Sequence, residues 1–492
     1  MTSRDSTADL TYLDATAALR LFTSRELSPV ELMTAVIERT EKVEPTINAF
    51  AERLFDEAMA QAVSAERRYL GKDGGAPRAL EGLPVAAKEK HALAGRSLTE
   101  GSLVNAGVVA EENAPVIDRI LNAGGIVHAR TTTPEFSIAT FTQSRLWGVT
   151  RNPWNPYFST AGSSGGSGAA LAAGTAALAT GSDIGGSTRL PAALNGVVGF
   201  KAPYGRVPGA GIMPNDHYRG DSPMARTVDD TVLLQNVLAG PDPRDHTSIA
   251  PKYVLPNEFD DVAGMRIALC VNLGEYRVHP EMAANTRATA QALAAAGAIV
   301  EEIELPWAQF DILIATAGHF GHMFSTLVEE FTAGKRELVC DYTAAYLDVT
   351  AQARQNISYM DALRAEKRLQ LQLAAAMTGF DALLCPTTAV PGWAADDQLQ
   401  GERLIVHGTD VGETFWAAMT MPFNINNRCP VLNVPSGRSE WGIPTGVQIV
   451  GHPYDDAAVF RVGKALEQLR PWAYHPGNRP ALQPDGFSIR RY

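Results

Sequence analysis

Hydrophobic residues in the first part of the chain recur every three or four positions, which predicts helices over 10–70. Ser28 followed by Pro29 is typical of a helix start, because serine can cap free N–H groups and proline fits the first turn. The pattern over 47–63 predicts a further helix. We therefore expect an N-terminal helical part over residues 1–75.

The pattern changes at about residue 83, where apolar positions become short continuous runs. These runs lie at 83–87, 125–129, 176–180 and 197–200. Between them, helical patterns occur at 116–123 and 168–173. Short buried strands that alternate with helices are typical of an α/β fold.

A mostly helical segment then separates two stretches of α/β pattern. Residues 275–380 are helical and partly alanine-rich, the strand pattern returns at 380–386 and 445–451, and a last helix is predicted at 455–469. Because the sequence on both sides of the helical segment is alike in pattern, we expect one sheet completed from both halves of the chain. Residues 1–492 would then form a single domain.

The segment 205–223 is rich in glycine and proline. Irregular segments of this length in compact domains are usually functional. We expect a loop here that leaves the sheet near the functional site, with hinges at its glycines and apolar cover from Ile212, Met213 and Tyr218. It would act as a lid over an apolar substrate.

Composition narrows the classes of partner. The 492-residue chain has 54 acidic and 42 basic residues and a formal net charge of -12, which argues against binding to nucleic acid. No apolar stretch is long enough for a membrane span, and the N-terminus does not resemble a signal peptide, so we expect a cytoplasmic protein. The four cysteines lack metal or disulfide spacing.

Two glycine- and serine-rich runs and one lysine carry the candidate chemistry. The first run is GSSGGSG at 162–168, the second is DIGGSTR at 183–189, and Lys88 ends the apolar run LPVAA. A flexible linker is a poor interpretation because a helical pattern follows the first run. A phosphate loop would need lysine and a hydroxyl residue after the glycines, and a lipase-type elbow would need a preceding buried strand.

Ser163 and Ser187 of these runs are 24 residues apart, PAALNGVVGFKAPYGRV follows them, PVAAKEK lies upstream, and CPVLNVPSG and IPTGVQIVG lie downstream. This set of motifs and its spacing closely resemble the amidase signature family. The resemblance covers about 10–240 and 380–470, with a signature core at 76–240, a variable helical segment at 275–380 and a sheet-completing part at 381–470. It implies an α/β domain with a central mixed sheet covered by helices on both faces.

The resemblance also implies the site residues. Ser187 would be the nucleophile, Ser163 the bridging serine and Lys88 the base, and Gly162 would precede Ser163 through a cis peptide bond. The backbone N–H groups of four consecutive residues would form the oxyanion hole: Ile184, Gly185, Gly186 and Ser187. No metal or cofactor is expected.

The residue chemistry agrees with these roles. A lysine can act as a base only when it is neutral, and burial at the end of an apolar strand favours the neutral form. A hydroxyl both donates and accepts, so Ser163 can pass a proton between Ser187 and Lys88. Asp183 and Arg189 flank the second run, and we expect them to brace it as an ion pair.

Other candidates are weaker. Lys90 competes with Lys88, since strand alternation would place both on one face. His319 and His322 lie three apart in a predicted helix, but no third metal ligand is evident. His91, His128 and His217 are expected to be structural, and Ser164 and Ser167 to orient their loop.

Three positions depart from the family pattern. Glu89 stands where aspartate usually follows the lysine, Ala161 replaces the first glycine of the serine run, and Arg428 replaces a common glycine. We expect Arg428 to narrow the pocket or to meet a polar substrate group. These changes concern specificity more than catalytic class.

We therefore expect an amidohydrolase for small or medium amides with an apolar or aryl part, with carbamates and esters as further substrates, acting as a monomer or homodimer. The stretch from Phe415 to Phe423 would line the pocket or belong to the core. The alternatives are a glutaminase-type subunit of a tRNA-dependent amidotransferase and a non-enzymatic binding protein on the same scaffold.

Overall fold

The computed structural model describes residues 10–399, 403–406, 408–472, 474, 475 and 477–482. The helices are α1 Ala15–Ser24, α2 Pro29–Ile47, α3 Phe55–Tyr69, α4 Pro115–Asn122, α5 Gly165–Ala173, α6 Arg189–Asn195, α7 Val228–Leu238, α8 Pro280–Ala295, α9 Gln309–His322, α10 Phe324–Thr332, α11 Asp341–Asn356, α12 Tyr359–Ala376, α13 Pro422–Ile425 and α14 Asp456–Leu469. As predicted, Ser28 caps α2, and its hydroxyl accepts from the Glu31 N–H.

The strands are β1 Phe50–Arg53, β2 Pro84–Lys88, β3 Ile126–Thr131, β4 Gln143–Ser144, β5 Gly148–Val149, β6 Leu178–Asp183, β7 Val198–Lys201, β8 Gly220–Ala225, β9 Arg266–Leu269, β10 Ile299–Glu302, β11 Ala382–Pro386, β12 Arg403–Val406, β13 Thr409–Glu413, β14 Val431–Arg438 and β15 Pro444–Gly451. Eleven of them form one sheet in the order β1-β3-β2-β6-β8-β7-β14-β15-β11-β9-β10. Parallel pairs such as β2–β3 and antiparallel pairs such as β6–β8 both occur, so the predicted mixed sheet is confirmed.

Both halves of the chain build this sheet. The six strands from β1 to β7 in the sheet order come from residues before 226, and the other five come from residues after 265. The halves meet where β14 pairs antiparallel with β7, with Val431 opposite Lys201 and Asn433 opposite Gly199. The expectation of one sheet in a single domain is therefore confirmed.

Side chains alternate between two apolar layers along the strands, as a two-residue repeat requires. In β2, Val85 and Ala87 join one buried cluster with helices α1, α2, α4 and α7, whereas Ala86 joins a second with α5. In β11, Leu384 belongs to the first layer and Cys385 to the opposite one, with α12. Helices therefore cover both faces of the sheet.

Three sequence predictions need correction. The helix predicted over 47–63 is interrupted: α2 ends at Ile47, Asn48 adopts a left-handed φ of 49°, and β1 follows with Phe50 paired to Thr131. The helical segment 275–380 also contains β10. The loop predicted at 205–223 contains a short 3-10 helix at Met213–Asn215 and ends in β8, which starts at Gly220.

No helix in the described ranges has both the length and the apolar character needed to cross a lipid bilayer.

Candidate active site

Lys88 is the last residue of β2 and is fully buried. It shares its strand face with Ala86, the side on which α5 packs. Its Nζ lies 2.7 Å from the Oγ of Ser163, 3.0 Å from the Oγ of Ser164 and 3.1 Å from the Oγ of Ser182. Burial, aided by the nearby charge of Lys90, lowers the pKa of Lys88 well below its ordinary value.

Ser163 lies in the turn before α5 and is also fully buried. The peptide bond between Gly162 and Ser163 is cis, as predicted. Glycine at 162 is required by close packing, because a Cβ there would lie 2.3 Å from the Phe141 carbonyl oxygen. The predicted contact between Lys88 and Ser163 is thus present in the structure.

Ser187 lies in the turn between β6 and α6 and is 8% exposed, which gives it a path to solvent that Lys88 and Ser163 lack. Its carbonyl oxygen accepts from the Ser164 N–H at 3.0 Å, and this bond ties the two serine runs together. The hydrogen bonds of the described residues include none between the Ser163 and Ser187 hydroxyls. Lys88 and Ser163 are thus in direct contact, and the backbone of the Ser187 turn is joined to the residue after Ser163.

Asp183, the last residue of β6, organises the turn that carries Ser187. Its buried carboxylate accepts from the Arg189 guanidinium at 2.9 and 3.0 Å, so the predicted ion pair is present. It also accepts from the Asn424 side chain at 2.8 Å and from the Gly186 N–H at 2.9 Å. Burial alone would raise the pKa of Asp183, but Arg189 outweighs it and holds this pKa well below its usual range.

The bond from Gly186 changes the expected oxyanion hole. Because the Gly186 N–H donates to Asp183, it is committed to bracing the turn. The N–H groups of Ile184, Gly185 and Ser187 donate no hydrogen bond within the described part of the chain. Gly186 itself has a φ of 119°, and a Cβ there would lie 2.0 Å from Thr420 Oγ1, so the turn needs glycine.

Comparison with known proteins agrees with this geometry. The family model described as Amidase matches residues 31–460. The chain belongs to the amidase signature family. It is 34% identical to an acylamidase of Rhodococcus erythropolis over 94% of this chain and 97% of that protein. It is 32% identical to a glutamyl-tRNA(Gln) amidotransferase subunit of Chloroflexus aurantiacus over 94% of this chain and 98% of that one.

Solved structures of amidase signature proteins share the fold. A bacterial aryl acylamidase has a TM-score of 0.85 and 26% identity, with 94% of this chain and 97% of that chain covered. A 6-aminohexanoate cyclic dimer hydrolase has a TM-score of 0.81 and 27% identity, with 96% and 99% covered. The protein is thus an amidase that hydrolyses carbon–nitrogen bonds.

Several contacts around the amidase site do not follow from the sequence motifs. Ser182 contacts Lys88, and Thr180 Oγ1 accepts from the Lys88 backbone N–H at 2.9 Å. His91 bridges Thr180 at 2.8 Å and Asp221 at 3.0 Å, so its expected structural role fits these contacts. The sequence contains one signal for these contacts. The strand β6 is otherwise predicted to be buried in the core, but it ends in the small polar sequence Thr-Gly-Ser-Asp.

The competitor Lys90 is placed differently from the prediction. β2 ends at Lys88, and Lys90 lies in the following turn, so strand alternation does not apply to it. It is partly exposed, whereas Lys88 is fully buried. The hydrogen bonds of the described residues join Lys88, and not Lys90, to the serines.

The departures from the family pattern have structural counterparts. The buried Glu89 carboxylate accepts from the backbone N–H groups of Thr99 at 2.6 Å and Glu100 at 2.8 Å, so it holds the chain that follows Lys88. Ala161 adopts a left-handed φ of 57°, a conformation that suits the usual glycine. The Arg428 side chain is exposed, and its carbonyl oxygen accepts from the Tyr454 N–H at 2.9 Å.

Apolar side chains lie against the Ser187 turn. Met421 lies against Gly185, where a Cβ would approach its Cε to 2.8 Å. Ile184 packs with a buried cluster that we call the acyl wall, made of Phe136, Phe324, Val328 and Leu347 with Val104, Ile138, Met213, Phe320 and Tyr346 at its edge. In the stretch 415–423, Trp416, Met419 and Phe423 are core residues.

Proposed function

We propose that this amidase cleaves amides through an acyl-enzyme on Ser187. Ser163 takes the proton of Ser187 and passes its own proton to neutral Lys88, while Ser187 Oγ attacks the substrate carbonyl carbon. The Lys88–Ser163 distance of 2.7 Å, between two fully buried residues, carries this proposal. Burial keeps Lys88 neutral and therefore able to accept a proton.

The tetrahedral intermediate then collapses. Its oxyanion is bound by the N–H groups of Ile184, Gly185 and Ser187, and Gly186 keeps the turn in shape through Asp183. The proton returns along Lys88 and Ser163 to the leaving nitrogen, the C–N bond breaks, and the amine departs. A water molecule repeats the sequence on the acyl-enzyme, so the products are a carboxylic acid and an amine.

The substrate that we propose is a small or medium amide whose acyl part is apolar or aryl. Support comes from the acyl wall, which meets the Ser187 turn through Ile184, and from Met421 against Gly185. The names of the acylamidase relative and of the aryl acylamidase structure agree with such substrates. The same chemistry extends to carbamates and esters, since both present a carbonyl with a leaving nitrogen or oxygen.

A glutaminase-type subunit is the second candidate, because an amidotransferase subunit is 32% identical to this chain. Glutamine carries a carboxylate and an ammonium group, which need fixed polar partners in the site. The acyl wall supplies apolar surface instead, and this favours the stand-alone amidase.

The test is a substrate panel with the purified chain alone. We expect turnover of acyl p-nitroanilides and arylamides, weaker or comparable turnover of carbamates and p-nitrophenyl esters, and no release of ammonia from glutamine. Intact-mass spectrometry after quenching should show an acyl adduct on the wild type. Ser187→Ala should form no adduct, and its kcat should be lower than that of the wild type by about 10³-fold or more. Its melting temperature should be unchanged.

Three results would count against the proposal. Glutamine as the best substrate would favour the glutaminase interpretation, and an adduct that persists in Ser187→Ala would place the nucleophile elsewhere. A panel with no turnover at all would favour the binding-protein alternative.

Size-exclusion chromatography of the same sample distinguishes the monomer from the homodimer.

A further inference from the structure

Three distant segments bring histidines and carboxylates together outside the catalytic residues. Asp216 and His217 come from the 205–223 segment, His319 from α9 and Glu366 from α12. We call these four residues the histidine–carboxylate cluster. Asp216, His319 and Glu366 are at most 4% exposed, and His217 is partly exposed.

Their contacts are short. His319 Nε2 lies 2.7 Å from Asp216 Oδ1, and His217 Nε2 lies 3.2 Å from Glu366 Oε2. The other nitrogen of His319, Nδ1, lies 3.7 Å from Glu366 Oε1. One ligand atom each from Asp216, His217 and His319 can be chosen so that all three lie within 4.8 Å of one another.

Hydrogen bonding within the described residues leaves part of this cluster unsatisfied. Asp216 Oδ2 and His319 Nδ1 are buried and have no hydrogen-bond partner there. A buried polar atom without a partner destabilises the folded state, and a bound ion or an ordered water molecule can satisfy it. The unsatisfied Asp216 Oδ2 therefore points to an occupant of the cluster, whereas His319 Nδ1 faces Glu366 at 3.7 Å.

We propose that Asp216, His217 and His319 bind a zinc ion, with a water molecule as fourth ligand. Two imidazoles and one carboxylate form a donor set that Zn²⁺ accepts in tetrahedral geometry. Metal-bound histidines usually donate their second ring N–H to a carboxylate, which fixes the ring. Glu366 is placed for this role toward both rings, at 3.2 Å from His217 and 3.7 Å from His319.

The ion pins the 205–223 segment to the helical part of the domain. Next to the ligands, the fully buried Tyr218 donates its hydroxyl to Glu366 at 2.8 Å. The Tyr218 carbonyl oxygen accepts from the Asn424 side chain at 3.0 Å, and the same amide donates to Asp183 at 2.8 Å. A zinc ion in the cluster thus stabilises a chain of contacts that ends at the Ser187 turn.

The test is zinc binding by the full-length, tag-free protein after removal of metals with a chelator. We expect one zinc ion per chain by titration calorimetry or by competition with a chromophoric chelator. Zinc at about a hundred-fold excess over its Kd should raise the melting temperature by about 2 °C, a small shift because the chain is long. Neither readout depends on turnover.

Matched variants locate the ion. His319→Ala should lose the zinc stoichiometry and the melting shift. His322→Ala, one turn along α9, should keep both, because His322 Nε2 lies 2.9 Å from the Ile357 carbonyl oxygen, outside the cluster. If His319→Ala does not fold, His217→Ala replaces it, since His217 is partly exposed and its change removes one ligand.

The proposal is overturned if the wild type binds no zinc at micromolar concentration. It is also overturned if the cluster variants bind zinc as well as His322→Ala does, because the ion would then lie elsewhere. Loss of binding in the cluster variants alone supports it.

Discussion

At the scale of single residues, the buried lysine sets the pH dependence of the proposed mechanism. Burial lowers the pKa of Lys88, and only the neutral amine can accept a proton. We expect kcat/KM to rise as the pH rises through this lowered pKa and to level off above it. A profile that begins to rise only near the ordinary lysine pKa of about 10.4 would contradict the role of Lys88.

Replacing the lysine gives a direct check. Lys88→Met keeps most of the apolar volume but removes the base, so we expect kcat to fall by about 10³-fold or more. Lys90→Met is the matched control, because Lys90 lies in the turn after β2, and it should retain most of the activity. Equal losses in both variants would show that general charge near the site, and not Lys88, is required.

The carboxylate that braces the Ser187 turn is expected to contribute to stability. Asp183→Asn removes the negative charge beside fully buried Arg189, and an uncompensated buried charge typically destabilises by about 3–5 kcal/mol. Asp348→Asn breaks an exposed pair with Arg336 and should change stability by less than about 1 kcal/mol. Denaturant unfolding of both variants measures the difference, and a loss below about 1 kcal/mol in Asp183→Asn would contradict the bracing role.

The sequence predicted the residues of the candidate site better than the contacts that hold them in place. Lys88, Ser163 and the Asp183–Arg189 pair could be placed because each belongs to a local motif. The hydrogen bond from the Gly186 N–H to Asp183 could not be predicted, because it depends on how the turn folds back on its own strand. The histidine–carboxylate cluster was missed for a similar reason: its members are separated by about 150 residues in the chain.

At the scale of elements, the 205–223 segment is anchored more firmly than a free lid. Its exposed residues are 210–212 and Asn215, and Ile212 is 65% exposed. Tyr218, which was predicted to cover a substrate, is buried and bonded to Glu366. Met213 instead lies at the edge of the acyl wall, against which Ile184 also packs.

Met213 should therefore affect specificity. We expect Met213→Ala to change KM for bulky acyl amides several-fold, because it removes apolar surface beside the proposed acyl pocket, and to leave a small activated ester almost unaffected. Ile212→Ala, at the exposed tip, serves as the control. Equal effects of Met213→Ala on all substrates would mean that the segment only supports the fold.

The strand β1 shows where periodicity alone was misleading. Its four residues lie between two helices whose apolar positions have compatible spacing, so the pattern over 47–63 predicts a single helix. One tertiary and one local contact override that preference: Phe50 pairs with Thr131 of β3, and the buried Glu44 carboxylate accepts from the Phe50 N–H at 2.7 Å. Longer elements such as α2 and α12 were predictable because many turns repeat the same apolar face.

At the scale of the whole molecule, the sheet should make the two halves interdependent. Residues 1–240 contain β7, all of whose residues are buried, and its partner β14 comes from the other half. Without β14, the β7 edge is exposed and the buried Lys201 ammonium loses its acceptors, Asn427 Oδ1 at 2.5 Å and the Cys429 carbonyl at 2.9 Å. An exposed apolar sheet edge promotes aggregation.

We therefore expect a fragment of residues 1–240 to be insoluble or unfolded when expressed alone, although it contains Lys88, Ser163 and Ser187. Co-expression with residues 241–492 should restore soluble, active protein, because β14 can then pair with β7. The full-length chain should unfold in one transition followed equally by tryptophan fluorescence and circular dichroism. A soluble 1–240 fragment with a cooperative melt of its own would show that the halves fold independently and that the shared sheet does not couple them.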